Sequence, residues 1–262
     1  MSSLIFLGGG RITTALVTGL RAAGYSGRIV VHDRNPEKLR GLARRFAIHA
    51  EPVLGRAVAE AGMLMVAVRP AHVLPLLAAL APLPKRALCV SLAAGVPLDA
   101  LRRALPQPVA WARAMPSPAC RDRRSLTALV FDQNCSRGSR LRVWNLFARV
   151  GRVMEIPERE FDAFTVVYST SQGHHALAAR IRAARKLGLS PRTAVAAAAH
   201  GLAEGVRAVE ENPGAIEELL AEAATPGGIA AEVIRTMRAG GYDRLVERAY
   251  RSGLARARQF RR

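Results

Sequence analysis

The amino-terminal segment restricts the fold of this chain more than any other part of its 262 residues. It joins an apolar run, residues 4–7, directly to the three glycines Gly8, Gly9 and Gly10. The apolar run predicts a buried strand, and the glycines predict a tight turn into a helical stretch that ends near Ala23. A strand, a glycine turn and a helix in this order predict an α/β fold.

The glycine turn is also a candidate binding site. Gly8 and Gly10 occupy the first two glycine positions of the pattern Gly-x-Gly-x-x-Gly/Ala, and Thr13 stands at the third. Glycines at these positions let the backbone approach a pyrophosphate, and the first helical residues, Arg11 and Ile12, direct their amides at its phosphates. The pattern predicts a dinucleotide site, and a turn without a ligand is the alternative interpretation.

A second apolar run, residues 29–31, is followed by Asp33 and Arg34, where a dinucleotide fold meets the adenosine ribose. A carboxylate there hydrogen-bonds the ribose 2′-hydroxyl and favours NAD, whereas an arginine accommodates the 2′-phosphate of NADP. Because the chain has both, the sequence favours NAD only slightly. Arg34 also has an alternative role as a solvated turn residue.

The pattern of the chain changes near residue 158. Before it, helical stretches alternate with six short runs rich in β-forming residues, at 4–7, 29–31, 63–68, 88–91, 109–113 and 126–130. That alternation indicates βαβ units and a parallel sheet. After residue 158 the periodicity is helical. We therefore predict a Rossmann-like, parallel-sheet domain that binds NAD(P) at residues 1–158 and an all-α domain at residues 159–262.

The formal net charge of +19 is typical of nucleic-acid-binding proteins, because clustered Lys and Arg neutralise phosphates. Here, however, the positive residues are almost all arginine and are spread along the chain, singly or in pairs. We therefore predict no nucleic-acid partner. The charge is instead expected to attract anionic coenzymes and substrates.

Cysteine content and hydropathy predict a cytoplasmic protein without a metal or a membrane partner. Cys89, Cys120 and Cys135 form no Cys-x-x-Cys pair and no cluster with histidine at zinc-ligand spacing. The first ten residues lack the basic and apolar regions of a secretory signal. The longest apolar stretch, residues 71–83, contains prolines and is shorter than the roughly 20 residues that span a bilayer.

Four further segments resemble the pyrroline-5-carboxylate reductase family in order and spacing. They are Ala-Val-Arg-Pro at residues 67–70, Ser-Leu-Ala-Ala-Gly-Val at 91–96, Arg-Ala-Met-Pro-Ser-Pro-Ala at 113–119 and Thr-Pro-Gly-Gly at 225–228. With the glycine turn, Asn-Pro-Glu-Lys at 35–38 and Gly-Gly-Tyr at 240–242, the resemblance extends over nearly the whole chain.

The resemblance implies a Rossmann domain that binds NADH or NADPH and a helical domain through which the protein forms a homodimer. It implies reduction of a cyclic imino acid, 1-pyrroline-5-carboxylate, to L-proline. By position, it assigns these residues to the nicotinamide end of the coenzyme: Val68, Arg69, Pro70, Ala94, Gly95 and Met115. Such a reaction needs the nicotinamide carbon about 3–3.5 Å from the imine carbon, and the coenzyme supplies most of the reactivity.

The resemblance also assigns the substrate carboxylate to the turn of Thr225, Gly227 and Gly228, through the Thr225 hydroxyl and backbone amides. Thr225 is therefore a candidate catalytic and substrate-binding residue. Without the resemblance, the same turn precedes a helical run, so Thr225 could cap that helix while the glycines form a nest of N–H donors.

The chain departs from the family pattern around the expected substrate pocket. Where the family has a Ser-Gly-Ser-Gly-Pro type of turn, this chain has a polar sequence that begins with Tyr168, Ser169, Thr170 and Ser171. Ala230 replaces a family threonine that reaches the substrate. The family motif Met-Pro-Asn-Thr-Pro is shortened to Met-Pro-Ser-Pro at residues 115–118.

The new polar groups at residues 168–171 are candidates to contact the substrate. His174 is a candidate proton donor to the amine nitrogen, because imidazole titrates near neutral pH, and a structural role for His174 and His175 is the alternative. Three functions stay open: a pyrroline-5-carboxylate reductase, a reductase of another imine or a keto acid, and a non-catalytic nucleotide-binding protein.

Overall fold

The structure is a computed structural model that describes residues 3–80, 82–84, 87–212 and 214–261. These residues form two compact units. The first unit contains the described residues up to Tyr168 together with those from Gly253 onward, and the second unit is Ser169–Ser252. The domain boundary at residue 158 is a different division of the chain and stays a prediction.

The first unit is built on one sheet, which has eight strands in the described part of the chain. The strands are β1 (Ser3–Leu7), β2 (Ile29–His32), β3 (His49–Ala50), β4 (Ala61–Val66), β5 (Leu88–Ser91), β6 (Ala110–Met115), β7 (Ser125–Phe131) and β8 (Gly151–Glu155). Their spatial order is β3-β2-β1-β4-β5-β6-β7-β8. Neighbouring strands are parallel except for the antiparallel pair β6 and β7.

The predicted Rossmann-like fold class is confirmed, but the sheet differs from the predicted one in several strands. β3 and β8 are not predicted, because β3 has two residues and β8 is largely exposed and carries Arg152 and Glu155. β4 ends at Val66 rather than at residue 68. β7 is antiparallel to β6, because the short connection between them holds one 3-10 helix, Pro118–Asp122, and a parallel crossover needs a dozen or more residues.

Helices cover the sheet and form the second unit. In the first unit they are α1 (Arg11–Ala22), α2 (Pro36–Arg45), α3 (Leu54–Val58), α4 (Val73–Ala78), α5 (Leu98–Ala104), α6 (Arg137–Ala148) and α7 (Glu158–Val167). In the second unit they are α8 (Thr170–Lys186), α9 (Pro191–Glu211), α10 (Ile216–Ala223) and α11 (Ile229–Ala239). The last helix, α12 (Tyr242–Arg258), begins in the second unit and ends in the first. Among the described residues, no helix has the length and apolar character that a membrane span requires.

The sheet lies between two hydrophobic cores. Along β1, Leu4 and Phe6 pack in one core with α1, α2 and α6, whereas Ile5 and Leu7 pack in the other with α3, α4 and α5. Burial of both faces explains why this strand is a continuous apolar run in the sequence. The loops that follow β4 and β5 also contribute side chains to the second core, among them Val68 and Val96.

The three cysteines, Cys89, Cys120 and Cys135, are buried as free thiols. Burial in apolar surroundings disfavours the thiolate and raises the pKa of Cys89 and Cys120 to about 12. Both side chains are therefore protonated near neutral pH and contribute packing rather than reactivity.

Gly19 lets α1 pack directly against the 3-10 helix Pro118–Asp122. A Cβ atom at Gly19 would lie 1.9 Å from the carbonyl oxygen of Cys120. Both contact partners are backbone, so a side chain at this position must push two elements apart. The contact explains why a residue of low helix propensity stands in the interior of α1.

We expect Gly19→Ala to lower the free energy of unfolding by about 1–3 kcal/mol, because the added carbon overpacks this contact. The matched control is Gly41→Ala in α2, where a Cβ atom meets nothing within 4 Å and alanine favours the helix by up to about 1 kcal/mol. Thermal unfolding of both variants measures the difference. A Gly19→Ala variant that melts at or above the temperature of Gly41→Ala would contradict the predicted clash.

Candidate functional site

The residues predicted to bind a coenzyme lie at one edge of the sheet. β1, β2, β4, β5 and β6 are parallel neighbours, so their carboxyl ends share that edge. The predicted residues are Gly8, Gly10, Arg11 and Ile12 after β1, Asp33 and Arg34 after β2, Val68, Arg69 and Pro70 after β4, Ala94 and Gly95 after β5, and Met115 at the end of β6. The order of strands reverses between β1 and β4, which is where open α/β sheets bind ligands.

The turn after β1 requires the glycine at position 8. Gly8 has a φ of +111°, and a Cβ atom there would lie 2.7 Å from the carbonyl oxygen of Ala67. Thr13, at the third position of the glycine pattern, is buried, and its hydroxyl donates a hydrogen bond to the Gly8 carbonyl oxygen at 2.5 Å. This threonine therefore stabilises the turn at a position where the pattern has glycine or alanine.

The start of α1 offers space and hydrogen-bond donors to an anion. Gly10 is the N-cap of α1, no side chain caps the helix, and a Cβ atom at Gly10 would meet no heavy atom within 4 Å. Arg11 is exposed, and Ile12 packs against one of the cores. Because amides of a first helical turn have no partner inside the helix, this point fits the pyrophosphate of a dinucleotide.

Asp33 is fixed by two backbone amides. Its Oδ2 accepts a hydrogen bond from the Gly9 amide at 2.8 Å, and its Oδ1 accepts one from the Asn35 amide at 2.8 Å. Lys38 Nζ lies 4.0 Å from Oδ2. A carboxylate accepts about four hydrogen bonds, so Asp33 retains capacity for ribose hydroxyls while it links the end of β2 to the glycine turn.

Arg34, the residue next to Asp33, is exposed. Arg34 is the side chain that favours NADP, and Asp33 is the one that favours NAD. Both stand at the end of β2. The structure therefore places the two candidate determinants of coenzyme preference next to each other after β2.

The segments after β4 and β6 have different surroundings. Val68 packs against the second core, Arg69 is exposed, and Pro70 begins the 3-10 helix Pro70–His72. Met115 also packs against the second core. Val68 and Met115 are therefore held in place by the core at the carboxyl ends of parallel strands.

The loop after β5 is anchored at both ends. The Ala93 amide donates a hydrogen bond to Ser91 Oγ at 3.3 Å, and the Leu98 amide donates one to Glu158 Oε1 at 3.1 Å. Gly95 in the middle of this loop is buried and has a φ of +72°. A left-handed backbone is strained for other residues, so glycine is required at this position.

Tyr168 belongs to the first unit, and its hydroxyl group already has two partners. It accepts a hydrogen bond from the Leu126 amide at 2.7 Å and donates one to Ser117 Oγ at 3.1 Å. Ser117 in turn accepts a hydrogen bond from the Ala119 amide and donates its own amide to Ser125 Oγ. A substrate hydrogen bond donated by Tyr168 would have to replace the one to Ser117.

The other residues of the polar turn belong to the second unit. Ser169 is the N-cap residue of α8, and its hydroxyl group lies 2.7 Å from that of Ser171. Thr170 begins α8, and His174 in the same helix is exposed. The polar turn therefore forms the start of α8, and its polar side chains are accessible to solvent.

The Thr225 turn is also in the second unit. The Gly228 amide donates a hydrogen bond to the Thr225 carbonyl oxygen at 2.9 Å, and Gly227 has a φ of +77°. The interpretation of Thr225 as the helix cap is wrong, because Gly228 is the N-cap of α11 and no side chain bonds to the first turn. The Thr225 side chain is exposed, and Ala230 lies in the uncapped first turn.

The second unit exposes several large apolar side chains. Each of the following is more than half exposed: Leu187, Val206, Ile216, Ile229, Val233 and Leu245. Among the described residues of this unit, two small ones are buried, Ala194 and Ala198. Exposed apolar side chains in such number favour an interface with another chain.

Two family models match separate parts of the chain. Residues 3–95 match a family model described as NADP oxidoreductase coenzyme F420-dependent. Residues 158–260 match a family model described as pyrroline-5-carboxylate reductase dimerisation. A domain of the second kind supports homo-oligomerisation of this chain.

Curated relatives match both parts of the chain together. A pyrroline-5-carboxylate reductase of Pseudomonas aeruginosa is 30% identical over 265 residues, which are 98% of this chain and 96% of the relative. The chain belongs to the pyrroline-5-carboxylate reductase family. A second member of the family, from Mycobacterium tuberculosis, is 29% identical over 288 residues, which cover 100% of this chain and 97% of the relative.

The fold agrees with that of a solved member of the family. The pyrroline carboxylate reductase of Plasmodium falciparum, solved with NADP bound, has a TM-score of 0.89 to this chain. Its sequence identity is 17%, and the match covers 98% of this chain and 97% of that one. This match confirms the fold that the resemblance implies, and the Pseudomonas aeruginosa relative confirms the resemblance itself.

Two departures from the family pattern contact each other. Tyr168 begins the altered polar turn, and Ser117 stands in the shortened Met-Pro-Ser-Pro motif. The hydrogen bond between their hydroxyl groups joins the end of α7 to the residues after β6. Sequence reasoning missed this pair, as well as the role of Ser91, because nothing in the spacing of such serines indicates a partner.

Proposed function

We propose that this protein is an NAD(P)H-dependent reductase that converts 1-pyrroline-5-carboxylate to L-proline. Membership of the family over the full chain carries the proposal. The row of predicted coenzyme residues at the carboxyl ends of five parallel strands supports it, because one continuous edge can hold an extended dinucleotide. The bound nicotinamide supplies a hydride to the carbon of the C=N bond.

The chain's own residues bind and orient the coenzyme in this proposal. The amides at Gly10, Arg11 and Ile12 bind the pyrophosphate, and Asp33 or Arg34 binds the adenosine ribose. The segments that contain Val68, Arg69 and Pro70, Ala94 and Gly95, and Met115 hold the nicotinamide end. The site then fixes the distance between the donor and acceptor carbons, which is the main requirement of hydride transfer.

For the substrate, we assign the carboxylate to the Thr225 hydroxyl and to the amides of Gly227 and Gly228. The polar group at Ser169, Thr170 and Ser171, together with Tyr168, is assigned to the remaining substrate contacts. His174 is assigned as the proton source for the imine nitrogen. The exposed position of His174 supports this role, because solvent can return the proton after each turnover.

We assign the exposed apolar side chains of the second unit to a homodimer interface formed by the carboxyl-terminal helices. Leu187 and Ile229 are 84% and 88% exposed, so a partner that covers them removes a large apolar area from water. A cytoplasmic location and the domain boundary at residue 158 remain part of the same proposal.

A second function, reduction of another imine or of a keto acid, is favoured by one observation. Ala230 stands in the first turn of α11 and has no hydroxyl group, whereas the family pattern has a threonine that reaches the substrate. Loss of this hydroxyl removes one hydrogen bond to the substrate. Activity with that substrate falls if its polar group is left without another partner. The altered site can therefore favour a different cyclic imine.

The test is the loss of reduced-nicotinamide absorbance when the purified protein receives NADH or NADPH with 1-pyrroline-5-carboxylate. A parallel reaction contains a cyclic imine that is one carbon larger. We expect oxidation with the five-membered imine at least about tenfold faster than with the larger one. Oxidation with the larger imine alone would favour the second function, and coenzyme binding without oxidation of either would indicate a non-catalytic protein.

A further inference from the structure

The end of α12 contacts one of the predicted coenzyme segments. We name residues 92–97 the coenzyme loop and residues 253–260 the terminal segment. We propose that the terminal segment positions the coenzyme loop for the nicotinamide, with Ala257 and Phe260 as the positioning residues. The proposal rests on the proposed function, because it concerns the same coenzyme site.

The middle of the coenzyme loop touches the backbone of the terminal segment. A Cβ atom at Gly95 would lie 2.1 Å from the Ala257 carbonyl oxygen and 3.2 Å from Phe260 Cβ. Ala257 is itself buried, with 7% of its surface exposed. Because the contact joins two backbones, a shift of the terminal segment must be accompanied by a shift of Gly95.

Phe260 anchors the terminal segment to the sheet. Its ring packs against the second core, which includes Ala93 and Val96 of the coenzyme loop. The Arg256 guanidinium lies 5.3 Å from the centre of the same ring, and Arg256 Nη1 donates a hydrogen bond to Gln259 Oε1 at 2.6 Å. These contacts fix the position of Phe260 beside the loop.

The other contacts of the coenzyme loop fix its ends. The Ala93 amide is bound by Ser91, and the Leu98 amide that follows the loop is bound by Glu158. In the described part of the chain, no hydrogen bond involves the backbone groups of Ala94 and Gly95. The terminal segment therefore contacts the loop at Gly95, where no hydrogen bond holds the backbone.

A nicotinamide reaction depends on placement within about 1 Å, because a displacement of that size can change the rate about 100-fold. The middle of the loop carries Ala94 and Gly95, which are assigned to the nicotinamide end of the coenzyme. Loosening the terminal segment is therefore expected to affect coenzyme binding and turnover before it affects the global fold.

The experiment measures the Kd for NADH and for NADPH by coenzyme fluorescence in four single variants of the full chain and in the double variant Phe260→Ala/Gly95→Ala. Phe260→Ala removes the anchor, Phe260→Leu keeps an apolar side chain, and Gly95→Ala disturbs the contact from the loop side. Arg258→Ala changes an exposed residue of the same segment and is the matched control. Thermal unfolding and amide hydrogen exchange of residues 92–97 are recorded for each protein.

We expect Phe260→Ala and Gly95→Ala each to raise Kd at least about fivefold with faster exchange in the coenzyme loop, while Phe260→Leu and Arg258→Ala stay within about twofold of wild type. In the double variant Phe260→Ala/Gly95→Ala, the fold-increase in Kd should be smaller than the product of the two single-variant increases, because both changes act through one contact. Wild-type Kd values in Phe260→Ala, or fully multiplicative effects, would overturn the proposal. Turnover of the wild-type protein with 1-pyrroline-5-carboxylate tests the proposed function separately, since these Kd ratios need no substrate.

Discussion

A Gly10→Asp variant is expected to bind NADH and NADPH at least about 100-fold more weakly than the wild-type protein, without a loss of thermal stability. Gly10 is the N-cap of α1, and a Cβ atom there meets no protein atom within 4 Å. The new side chain therefore disturbs no packing. Aspartate is also a better N-cap residue than glycine, so α1 should gain stability from the change.

The expected loss of binding comes from electrostatic repulsion between the new carboxylate and the pyrophosphate. Two unit charges about 5 Å apart repel each other by about 3 kcal/mol at an effective dielectric constant of about 20. That energy corresponds to about a 100-fold increase in Kd. The carboxylate would stand in the open space at the start of α1, where the pyrophosphate is expected.

Gly10→Asn is the matched control, because asparagine has nearly the same size, caps a helix equally well and carries no charge. Fluorescence titration with each reduced coenzyme gives the Kd, and thermal unfolding of the free protein gives the stability. The asparagine variant should lose less affinity than the aspartate variant. Unchanged affinity in Gly10→Asp would remove the dinucleotide assignment of the glycine turn.

The sequence is sufficient to predict those strands that are buried on both faces. The side chains of β1 and β5 enter the two cores alternately, so both strands are short apolar runs in the sequence. Such runs predict buried strands. β8 was not predictable in this way, since most of it is exposed and Arg152 interrupts the apolar pattern. The direction of β7 follows only from the few residues between the end of β6 at Met115 and the start of β7 at Ser125. Such a connection is too short for a parallel crossover.

The candidate site is predictable where its residues are close in sequence. Gly8, Gly10 and Asp33 follow from a pattern whose spacing reflects one strand, one turn and one helix. The hydrogen bond of Tyr168 to Ser117 and the contact of Gly95 with Ala257 join residues that are far apart in the chain. No periodicity connects such pairs, so they became visible only when the fold brought them together.

We expect Arg113→Met to lower the free energy of unfolding by about 3–5 kcal/mol, because Arg113 is a buried cation paired with two carboxylates. The Arg113 side chain is 1% exposed. Its Nη1 lies 2.9 Å from Glu158 Oε1, its Nη2 lies 3.2 Å from Asp162 Oδ1, and its Cζ lies 3.9 Å from the centre of the Phe161 ring. Methionine replaces part of the volume but leaves both carboxylates without the guanidinium.

The cost of Arg113→Met should come from these carboxylates rather than from lost volume, and two comparison variants separate the causes. Adding Glu158→Gln and Asp162→Asn to Arg113→Met removes the two negative charges that face Arg113 and should recover much of the loss. Arg103→Met breaks an exposed ion pair and should cost at most about 1 kcal/mol. Urea unfolding followed by tryptophan fluorescence gives the midpoints, since Trp111 is buried on the same strand. If the triple variant recovers none of the lost free energy of unfolding, Arg113 contributes through its packing on Phe161. If Arg113→Met unfolds at the same urea concentration as Arg103→Met, the ion pairs of Arg113 add no stability.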